Sequence, residues 1–363
     1  MPNKLKIGVI GVGFGAQVHI PAFQSEGLDV VAVAARRKER AEETAEKFNI
    51  NHVFSDYNDM LLLKDIDAIS IATPAHLHLP IVLAALAANK HILCEKPFST
   101  DQIKAKQMLD ASKKSTKTTM IAHEFRFSSG RSRVKELIDE GYIGNLHMVL
   151  LSLVNGPRTT NTPRRLTDRD VAEFGGGFLN ALGSHYIDAL RQWFGEITTV
   201  SGKIKSYYPE RLDPNTNELV NSDTDDTFQF TLQFAKGGWA TMIGTSAAPY
   251  GPGGRIEIYG SNGTLITPHT GIGMNPPSHG TIMGANIGDK ELTQQIIPQR
   301  LEPFTDDRDE RMMPFRLLTR EFIRGINEGI SPSPNFYDGY RCQQVLDAVK
   351  ISAQDGGEIK ITE

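Results

Sequence analysis

The sequence has few of the features that mark secreted, zinc-binding or membrane proteins. It has two cysteines, Cys94 and Cys342, without a CxxC spacing, which argues against a disulfide framework and a structural zinc site and favours a reducing cytoplasm. No uncharged apolar stretch reaches the ~20 residues of a membrane helix, and the N-terminus lacks the apolar core of a secretory signal. We therefore expect a cytoplasmic protein without a membrane partner.

Positive charge is not in excess either. The chain has 39 Lys and Arg against 43 Asp and Glu, a net charge of −4, whereas nucleic-acid binding normally requires a strongly basic surface. We therefore expect no nucleic-acid partner. The 363 residues, of which 39% are hydrophobic, have ordinary globular composition and suffice for two domain cores.

The first 125 residues alternate short apolar runs with amphipathic ones, which is typical of a parallel sheet with crossover helices. The apolar runs suit strands that are covered on both faces. The predicted strands are Lys6–Ile10, Val30–Ala34, His52–Phe54, Ala68–Ala72, Ile92–Cys94 and Thr119–Ala122. We predict an α/β domain over residues 1–125.

From residue 126 the pattern changes to longer strands separated by turns, with helices predicted at Arg131–Glu140 and Ala181–Phe194. This indicates a second, α+β domain over residues 126–363 with a large, mostly antiparallel, open-faced sheet. Its predicted strands are Leu146–Val154, Thr199–Ser206, Thr227–Phe234, Trp239–Ser246, Arg255–Tyr259 and Thr264–Thr267. Asn155–Phe174 and Pro268–Met313 have no clear period and are predicted to be loops, the second either a lid or disordered.

A glycine-rich loop, Gly11-Val12-Gly13-Phe14-Gly15-Ala16, follows the first predicted strand and precedes a helix predicted at Gln17–Ser25. Gly11 permits a tight turn, Gly13 lets the backbone approach a pyrophosphate, and Ala16 allows close helix packing. Glycine clusters are commonly only turns, but the strand–loop–helix context predicts a Rossmann dinucleotide-binding domain.

The end of the second strand predicts the form of the cofactor. An acid that binds the ribose 2′-hydroxyl of NAD usually stands there, and this chain has Arg36 and Arg37 instead. A guanidinium matches a 2′-phosphate in charge and in geometry, so we predict NADP, with NAD as the alternative. The same cations otherwise form a solvated helix start, although positive charge in a first turn opposes the helix dipole.

Further segments, together with the glycine loop, resemble the glucose–fructose oxidoreductase/inositol dehydrogenase (Gfo/Idh/MocA) family. They are TPAHLH at residues 73–78, CEKP at 94–97, GGG at 175–177 and GSHYID at 183–188. The resemblance spans nearly the whole chain. It implies a nicotinamide domain followed by an open-faced sheet domain, with the active site between them, and sugar, cyclitol or polyol substrates.

The resemblance gives Lys96 the catalytic position, where it moves a proton on the substrate oxygen. A lysine at the carboxyl end of a parallel strand fits that role, because ligands bind there and desolvation would lower its pKa toward the working range. The resemblance also implies a cis peptide before Pro97 and a histidine, His185, on the same oxygen. An aspartate is implied four residues before His185, where this sequence has Ala181.

The remaining predicted contacts surround these residues. Thr73 and Pro74 should line the nicotinamide side, and His78 is a ring-stacking or capping residue. His76 and His78 have no third ligand near them in sequence, so we predict no metal site. The full set of predicted cofactor contacts is Gly11, Gly13, Phe14, Gly15, Ala16, Arg36, Arg37, Thr73, Pro74, His78, Glu95, Lys96 and Pro97.

Lys96, Arg126, Asn180 and His185 are the predicted substrate contacts. Arg126 suits an interdomain salt bridge almost equally well. Asp188 suits one of two roles: it orients the His185 ring, or it forms an ion pair with Arg191. The basic loop residues, Arg158, Arg164, Arg165 and Arg169, are expected to be mainly solvated.

These observations predict an NADP-preferring oxidoreductase of a small sugar-like or cyclitol-like substrate. Two alternatives stay open: a nicotinamide-binding regulator or sensor without turnover, and a redox-neutral enzyme that retains its cofactor. The resemblance implies a homodimer or homotetramer that assembles through the C-terminal sheet. Packing within one chain explains the alternating apolar residues Phe228, Phe230, Leu232 and Phe234 equally well.

Overall fold

The computed structural model describes residues 4–156, 163–268 and 281–362, and the chain divides into two compact units. The first unit comprises Met1–Glu124 and Asp306–Gln343, and the second comprises Phe125–Thr305 and Gln344–Glu363. The first change of unit lies next to the predicted boundary at residue 125. Residues 306–343, which the sequence pattern assigned to the second domain, pack with the first unit instead.

The first unit contains a six-stranded parallel sheet with the strand order β3-β2-β1-β4-β5-β6. Its strands are short and apolar, and those in the middle of the sheet are almost wholly buried because helices cover both faces. The strands are β1 Lys6–Ile10, β2 Asp29–Ala34, β3 His52–Phe54, β4 Ala68–Ile71, β5 His91–Cys94 and β6 Thr119–Ile121.

The crossover helices begin and end at recognisable signals. Asp101 caps α5 by accepting a hydrogen bond from the Lys104 amide, and α2 ends at Asn49 in the left-handed conformation. The glycine loop continues into a π-helical turn, Gly15–His19, before the first helix. The helices of this unit are α1 Ile20–Ser25, α2 Lys38–Phe48, α3 Tyr57–Leu61, α4 His78–Ala87, α5 Gln102–Lys113 and α8 Met312–Glu328.

The second unit is built on a nine-stranded sheet with the order β16-β15-β14-β13-β7-β12-β11-β8-β17. Neighbouring strands are antiparallel except β7 and β12, which are parallel, so the prediction of a mostly antiparallel sheet is confirmed. The strands are β7 Leu146–Val154, β8 Ile197–Lys205, β11 Thr227–Phe234, β12 Trp239–Thr245, β13 Gly253–Gly260, β14 Gly263–Pro268, β15 Ile282–Asn286, β16 Thr293–Gln295 and β17 Ile359–Lys360. A separate hairpin pairs β9 Glu210–Leu212 with β10 Leu219–Asn221.

One face of this sheet forms the core of the second unit. Alternate side chains of β11, Phe228, Phe230, Leu232 and Phe234, are buried, while the residues between them are partly exposed or exposed. The helices of this unit are α6 Ser129–Asp139 and α7 Ser184–Phe194, and α9 Phe336–Asp355 begins in the first unit and ends in the second.

The structure corrects the loop predictions. Residues 281–312, within the stretch predicted to be a loop, contain β15, β16, a 3-10 turn at Gln299–Leu301 and the first residue of α8. β15 pairs with β14, so backbone hydrogen bonds form these strands where the sequence shows no period. Residues 163–174 contain two 3-10 turns, whereas residues 157–162, with Arg158, and residues 269–280 lie outside the described residues.

Among the described helices, none combines the length and the apolar character that a bilayer crossing requires.

Candidate active site

The predicted cofactor and catalytic residues of the first unit follow neighbouring strands at one edge of its sheet. Backbone hydrogen bonds join these strand ends in series, from Gly11 to Ala34, Ala72 to Ile10, Glu95 to Ile71 and Ala122 to Cys94, with N···O distances of 2.7–2.9 Å. The carboxyl ends of β2, β1, β4, β5 and β6 are therefore aligned. In open parallel sheets this edge is where ligands bind.

The glycine loop fits a dinucleotide pyrophosphate. Gly11 has φ +100°, and a Cβ there would lie 2.4 Å from the Ala72 carbonyl oxygen, so the turn requires glycine. A Cβ on Gly13 would meet nothing within 4 Å, so its backbone faces open space. The helix that starts at Gly15 supplies amide donors beside it.

Arg36 and Arg37 follow the end of β2 and are exposed. Arg37 is the residue before α2 and has an extended backbone, with φ −94°. Both guanidinium groups are therefore accessible from solvent at the strand end where the ribose of a dinucleotide lies in Rossmann folds.

The loop after β5 carries Lys96, and a series of buried hydrogen bonds holds its backbone. The Lys96 amide donates to Glu95 Oε2 at 3.1 Å, and His19 Nε2 donates to Glu95 Oε1 at 3.0 Å. Ser70 Oγ lies 2.7 Å from His19 Nδ1. Burial acts to raise the pKa of Glu95, but the hydrogen bond and charge of His19 and the charge of Lys96 hold it below its ordinary value.

Lys96 itself is half-buried, and the Lys96–Pro97 peptide is cis, as the family resemblance implies. His78 joins this loop to the loop after β4: its Nδ1 lies 3.1 Å from the Phe98 carbonyl oxygen and its Nε2 lies 2.9 Å from that of Thr73. The ring is fully buried, and burial lowers the pKa of His78. His78 therefore holds these two loops together, and its predicted cofactor contact stays a prediction.

Glu124 follows β6 and is a second buried carboxyl at this edge. Its Oε2 has no hydrogen-bond partner among the described residues, and its exposure is 1%. Burial, followed by repulsion from Glu95, raises the pKa of Glu124 to about 8, against the opposing charges of Lys96 and Arg311. Glu124 is therefore neutral at pH 7 while Glu95 is ionised.

In the second unit, His185 lies in the first turn of α7 and is buried. Its ring stacks on Phe125, with centroids 3.8 Å apart and planes inclined by 16°. Arg131 donates to the His185 carbonyl oxygen at 2.9 Å. Its guanidinium carbon lies 5.3 Å from the centre of the Phe125 ring and 4.8 Å from the centre of the Tyr186 ring. The imidazole is consequently fixed in orientation by an aromatic face.

Arg126 and Asp188 form a buried ion pair with each other. Nε and Nη2 of Arg126 donate to the Asp188 carboxylate at 2.7 and 2.5 Å, and both side chains are at most 5% exposed. The structure therefore gives Arg126 a partner within the second unit, and its predicted substrate contact stays a prediction. Asp188 accepts both hydrogen bonds of this pair, and Arg191 forms an ion pair with Glu196 at 2.6 Å.

Asn180 is buried in the turn that precedes α7. Its Nδ2 donates to the carbonyl oxygens of Gly175 and Gly176 at 3.1 and 3.0 Å, while its Oδ1 has no partner in the described parts of the chain. Asp225 accepts from the Leu179 amide at 2.8 Å, and burial raises the pKa of Asp225 to about 6. Asn180 thus stabilises the glycine turn, and only its Oδ1 is available for the predicted substrate contact.

Two family models cover most of the chain. Residues 5–123 match the oxidoreductase family with an NAD-binding Rossmann fold, and residues 135–361 match the C-terminal alpha/beta domain of the same Gfo/Idh/MocA family. The chain belongs to the Gfo/Idh/MocA oxidoreductase family. The resemblance and the fold class that the sequence predicted are confirmed.

Relatives of this Gfo/Idh/MocA chain align over almost its whole length. Levoglucosan dehydrogenase of Pseudarthrobacter phenanthrenivorans is 28% identical over 97% of the chain and 96% of its own length. Myo-inositol 2-dehydrogenase of Thermotoga maritima is 22% identical over 99% of both. A structure of levoglucosan dehydrogenase with NADH and L-sorbose has a TM-score of 0.88 at 25% identity and covers 99% of this chain and 100% of its own.

In this Gfo/Idh/MocA chain, sequence reasoning did not predict three residues that lie near the carboxyl ends of the parallel strands: His19, Glu124 and Arg311. His19 lies three residues after the glycine-rich loop, in GVGFGAQVH at residues 11–19, and Glu124 lies in HEFRF at residues 123–127, directly after the sixth predicted strand, so their positions were a usable signal. Arg311 has no such signal, because it is separated from the glycine loop by almost 300 residues. Within the described residues, no group of three or more His, Cys, Asp and Glu side chains is arranged to hold a metal ion.

Proposed function

We propose that the chain is an NAD(P)-dependent dehydrogenase that acts on a hydroxyl or carbonyl group of a sugar-like or cyclitol-like substrate. The observation that carries the proposal is the position of Lys96: it follows β5 at the same sheet edge as the glycine loop and Thr73. The levoglucosan and inositol dehydrogenases among its relatives support this substrate class.

The nicotinamide dinucleotide, when bound, supplies or accepts the hydride. We assign proton transfer on the substrate oxygen to Lys96, and we assign to His185 a hydrogen bond to the same oxygen. Glu95 and His19 hold the backbone of the Lys96 loop, so the ammonium is presented from a fixed position. Phe125 holds the His185 ring by stacking. Such prior orientation reduces the entropy cost of reaching the reactive arrangement.

The substitution Lys96→Met tests this assignment, after a screen of polyols and keto-sugars with both nicotinamide cofactors has identified a substrate. We expect kcat to fall at least ~100-fold, the typical contribution of a positioned acid or base. Binding of the reduced cofactor, followed by its fluorescence, should stay within about twofold of wild type.

Lys113→Met, which removes an exposed lysine at the end of α5, is the matched control. Undiminished turnover by Lys96→Met would overturn the mechanism. A wild-type chain that binds the cofactor but turns over no substrate would support the sensor alternative. Turnover during which reduced nicotinamide appears and disappears without net change would support the redox-neutral one.

We further propose that Arg36 and Arg37 give the enzyme a preference for NADP, because both are exposed at the end of β2 and no acid stands there. Replacing Arg36 with Asp should weaken NADPH binding about tenfold or more, since charge-assisted hydrogen bonds to the 2′-phosphate are lost. NADH affinity should change little. Arg40→Asp, on the exposed side of α2, is the control. Equal NADPH affinity of wild type and Arg36→Asp, or tighter wild-type binding of NADH, would contradict the preference.

We also propose that the enzyme works in the cytoplasm as a homodimer or homotetramer. The open face of the nine-stranded sheet supports the assembly, because Leu150, Trp239 and Ile243 lie there 36–48% exposed.

A further inference from the structure

The segment of residues 306–320 is attached to the helix that follows the glycine loop. Arg308 donates to Ser25 Oγ at 2.9 Å, and Arg316 and Arg320 donate to the Glu26 carboxylate at 2.7 and 2.6 Å. The ring of Phe315 packs against His19, with centroids 4.3 Å apart. The segment therefore has a fixed position beside the start of the dinucleotide motif.

Arg311 is the residue of this segment that reaches the glycine loop itself. Its guanidinium carbon lies 4.9 Å from the centre of the Phe14 ring, which is a cation–π distance. Asp309 accepts hydrogen bonds from Nε and Nη2 of Arg311 at 2.7 and 2.6 Å and from Gln17 Nε2 at 3.1 Å. The guanidinium is thus held over the Phe14 ring by a carboxylate that also accepts a hydrogen bond from Gln17 in the turn after the loop.

The third guanidinium nitrogen of Arg311, Nη1, has no hydrogen bond to any described residue, and the side chain is 27% exposed. Arg311 is also near enough to Glu124 for its positive charge to oppose the rise in the pKa of Glu124. Arg311 therefore contacts the glycine loop, with one nitrogen free of bonds to the described residues. In Rossmann folds the diphosphate of a dinucleotide lies at this loop.

We propose that Arg311 is a further cofactor-binding residue, which donates a hydrogen bond from Nη1 to a phosphate of the bound dinucleotide. The inference rests on the proposed nicotinamide cofactor and extends its site to a segment almost 300 residues away in sequence. Arginine suits the position better than lysine, because its guanidinium carbon lies over the Phe14 ring while its remaining nitrogen can donate a hydrogen bond. The pair with Asp309 orients the fork before the cofactor arrives, which lowers the entropy cost of binding.

The test is the affinity of the full chain for NADPH and NADH without substrate, measured by isothermal titration calorimetry. We expect Arg311→Met to weaken both cofactors about tenfold, the effect of losing one charge-assisted hydrogen bond. Arg311→Lys should regain only part of the loss. Arg320→Met is the matched control, because Arg320 belongs to the same segment but bonds Glu26, and it should bind within about twofold of wild type.

A double variant separates phosphate binding from repulsion. Arg311→Met leaves Asp309 without its cation, and the exposed negative charge could repel the cofactor by itself. If Asp309→Asn/Arg311→Met regains wild-type affinity, or if Arg311→Met already binds both cofactors like wild type, the proposal is overturned. A loss confined to the KM of the substrate would overturn it too. A wild-type chain that binds neither dinucleotide would overturn the proposed function along with it.

Discussion

At the scale of single residues, the charge of Glu124 is decided by its surroundings. The carboxyl is buried and close to the ionised Glu95, and these two effects raise the pKa of Glu124 from 4.5 to about 8. Between these pH values the folded chain keeps a proton that the unfolded chain has lost. The free energy of unfolding therefore falls as the pH rises from about 4.5 to about 8.

The substitution Glu124→Gln should remove this dependence, because the amide keeps the shape and a donor but does not ionise. We expect the melting temperature of the variant to exceed that of wild type at pH 8 and above, by roughly 2–4 °C for each kcal/mol regained, and the difference to vanish toward pH 4.5. Thermal unfolding at several pH values measures it. The exposed acid Glu46 on α2, changed to Gln, is the control. A constant difference at all pH values would show that the carboxyl does not titrate as described.

At the scale of elements, α7 is attached to the turn before α6 by a charged and an aromatic contact. Arg126 pairs with Asp188, and Phe125 stacks on His185. The pair is buried, so its Coulomb attraction is opposed by the loss of hydration of both ions. We therefore expect its main effect to be on the orientation of α7, and with it of the His185 ring, more than on the stability of the fold.

Breaking the pair on one side should be costly. Asp188→Asn leaves the buried guanidinium without its carboxylate and should destabilise the second unit by about 3–5 kcal/mol in urea unfolding. The double variant Arg126→Met/Asp188→Leu should regain most of that stability, because both charges are gone. Lys106→Met, in an exposed pair on α5, should change stability by less than ~1 kcal/mol. A double variant as unstable as the single one would mean that the pair contributes more than orientation.

At the scale of the whole molecule, the open face of the nine-stranded sheet is the surface with the clearest consequence. β7 and β12 are paired in parallel, and they bring Leu150, Trp239 and Ile243 together on the face opposite the core. Thr231 and Thr241 hydrogen bond across this face at 2.8 Å, so apolar and hydroxyl groups alternate on it. This face supports the assembly proposed above.

Ile243→Lys should therefore reduce the oligomeric state, because a charge in the centre of the contact would lose its hydration. Size-exclusion chromatography with light scattering measures the change. Ile103→Lys, an exposed apolar position on α5 in the first unit, should leave the mass unchanged. A wild-type chain that is monomeric at micromolar concentration would contradict the assembly.

The sequence by itself determined the elements and the motifs. The predicted bounds are observed for β1, β3, β7 and β11. Each of these strands has a pattern of apolar residues that is visible within its own short stretch of sequence. The glycine loop and the segment around Lys96 were recognisable because turn geometry requires particular residues at fixed spacing. The two-domain architecture followed from the change of pattern near residue 125.

Only the tertiary structure decided which distant residues meet. Residues 306–343 pack with the first unit and bring Arg311 onto Phe14. Arg126 has Asp188 as its partner, and Glu124 shares its surroundings with Glu95. β15 pairs with β14 and β16 pairs with β15, in each case with the strand that precedes it in the chain. The physical reason is the same in each case: burial, ion pairing and edge hydrogen bonding depend on neighbours in space, and no local period in the sequence records those neighbours.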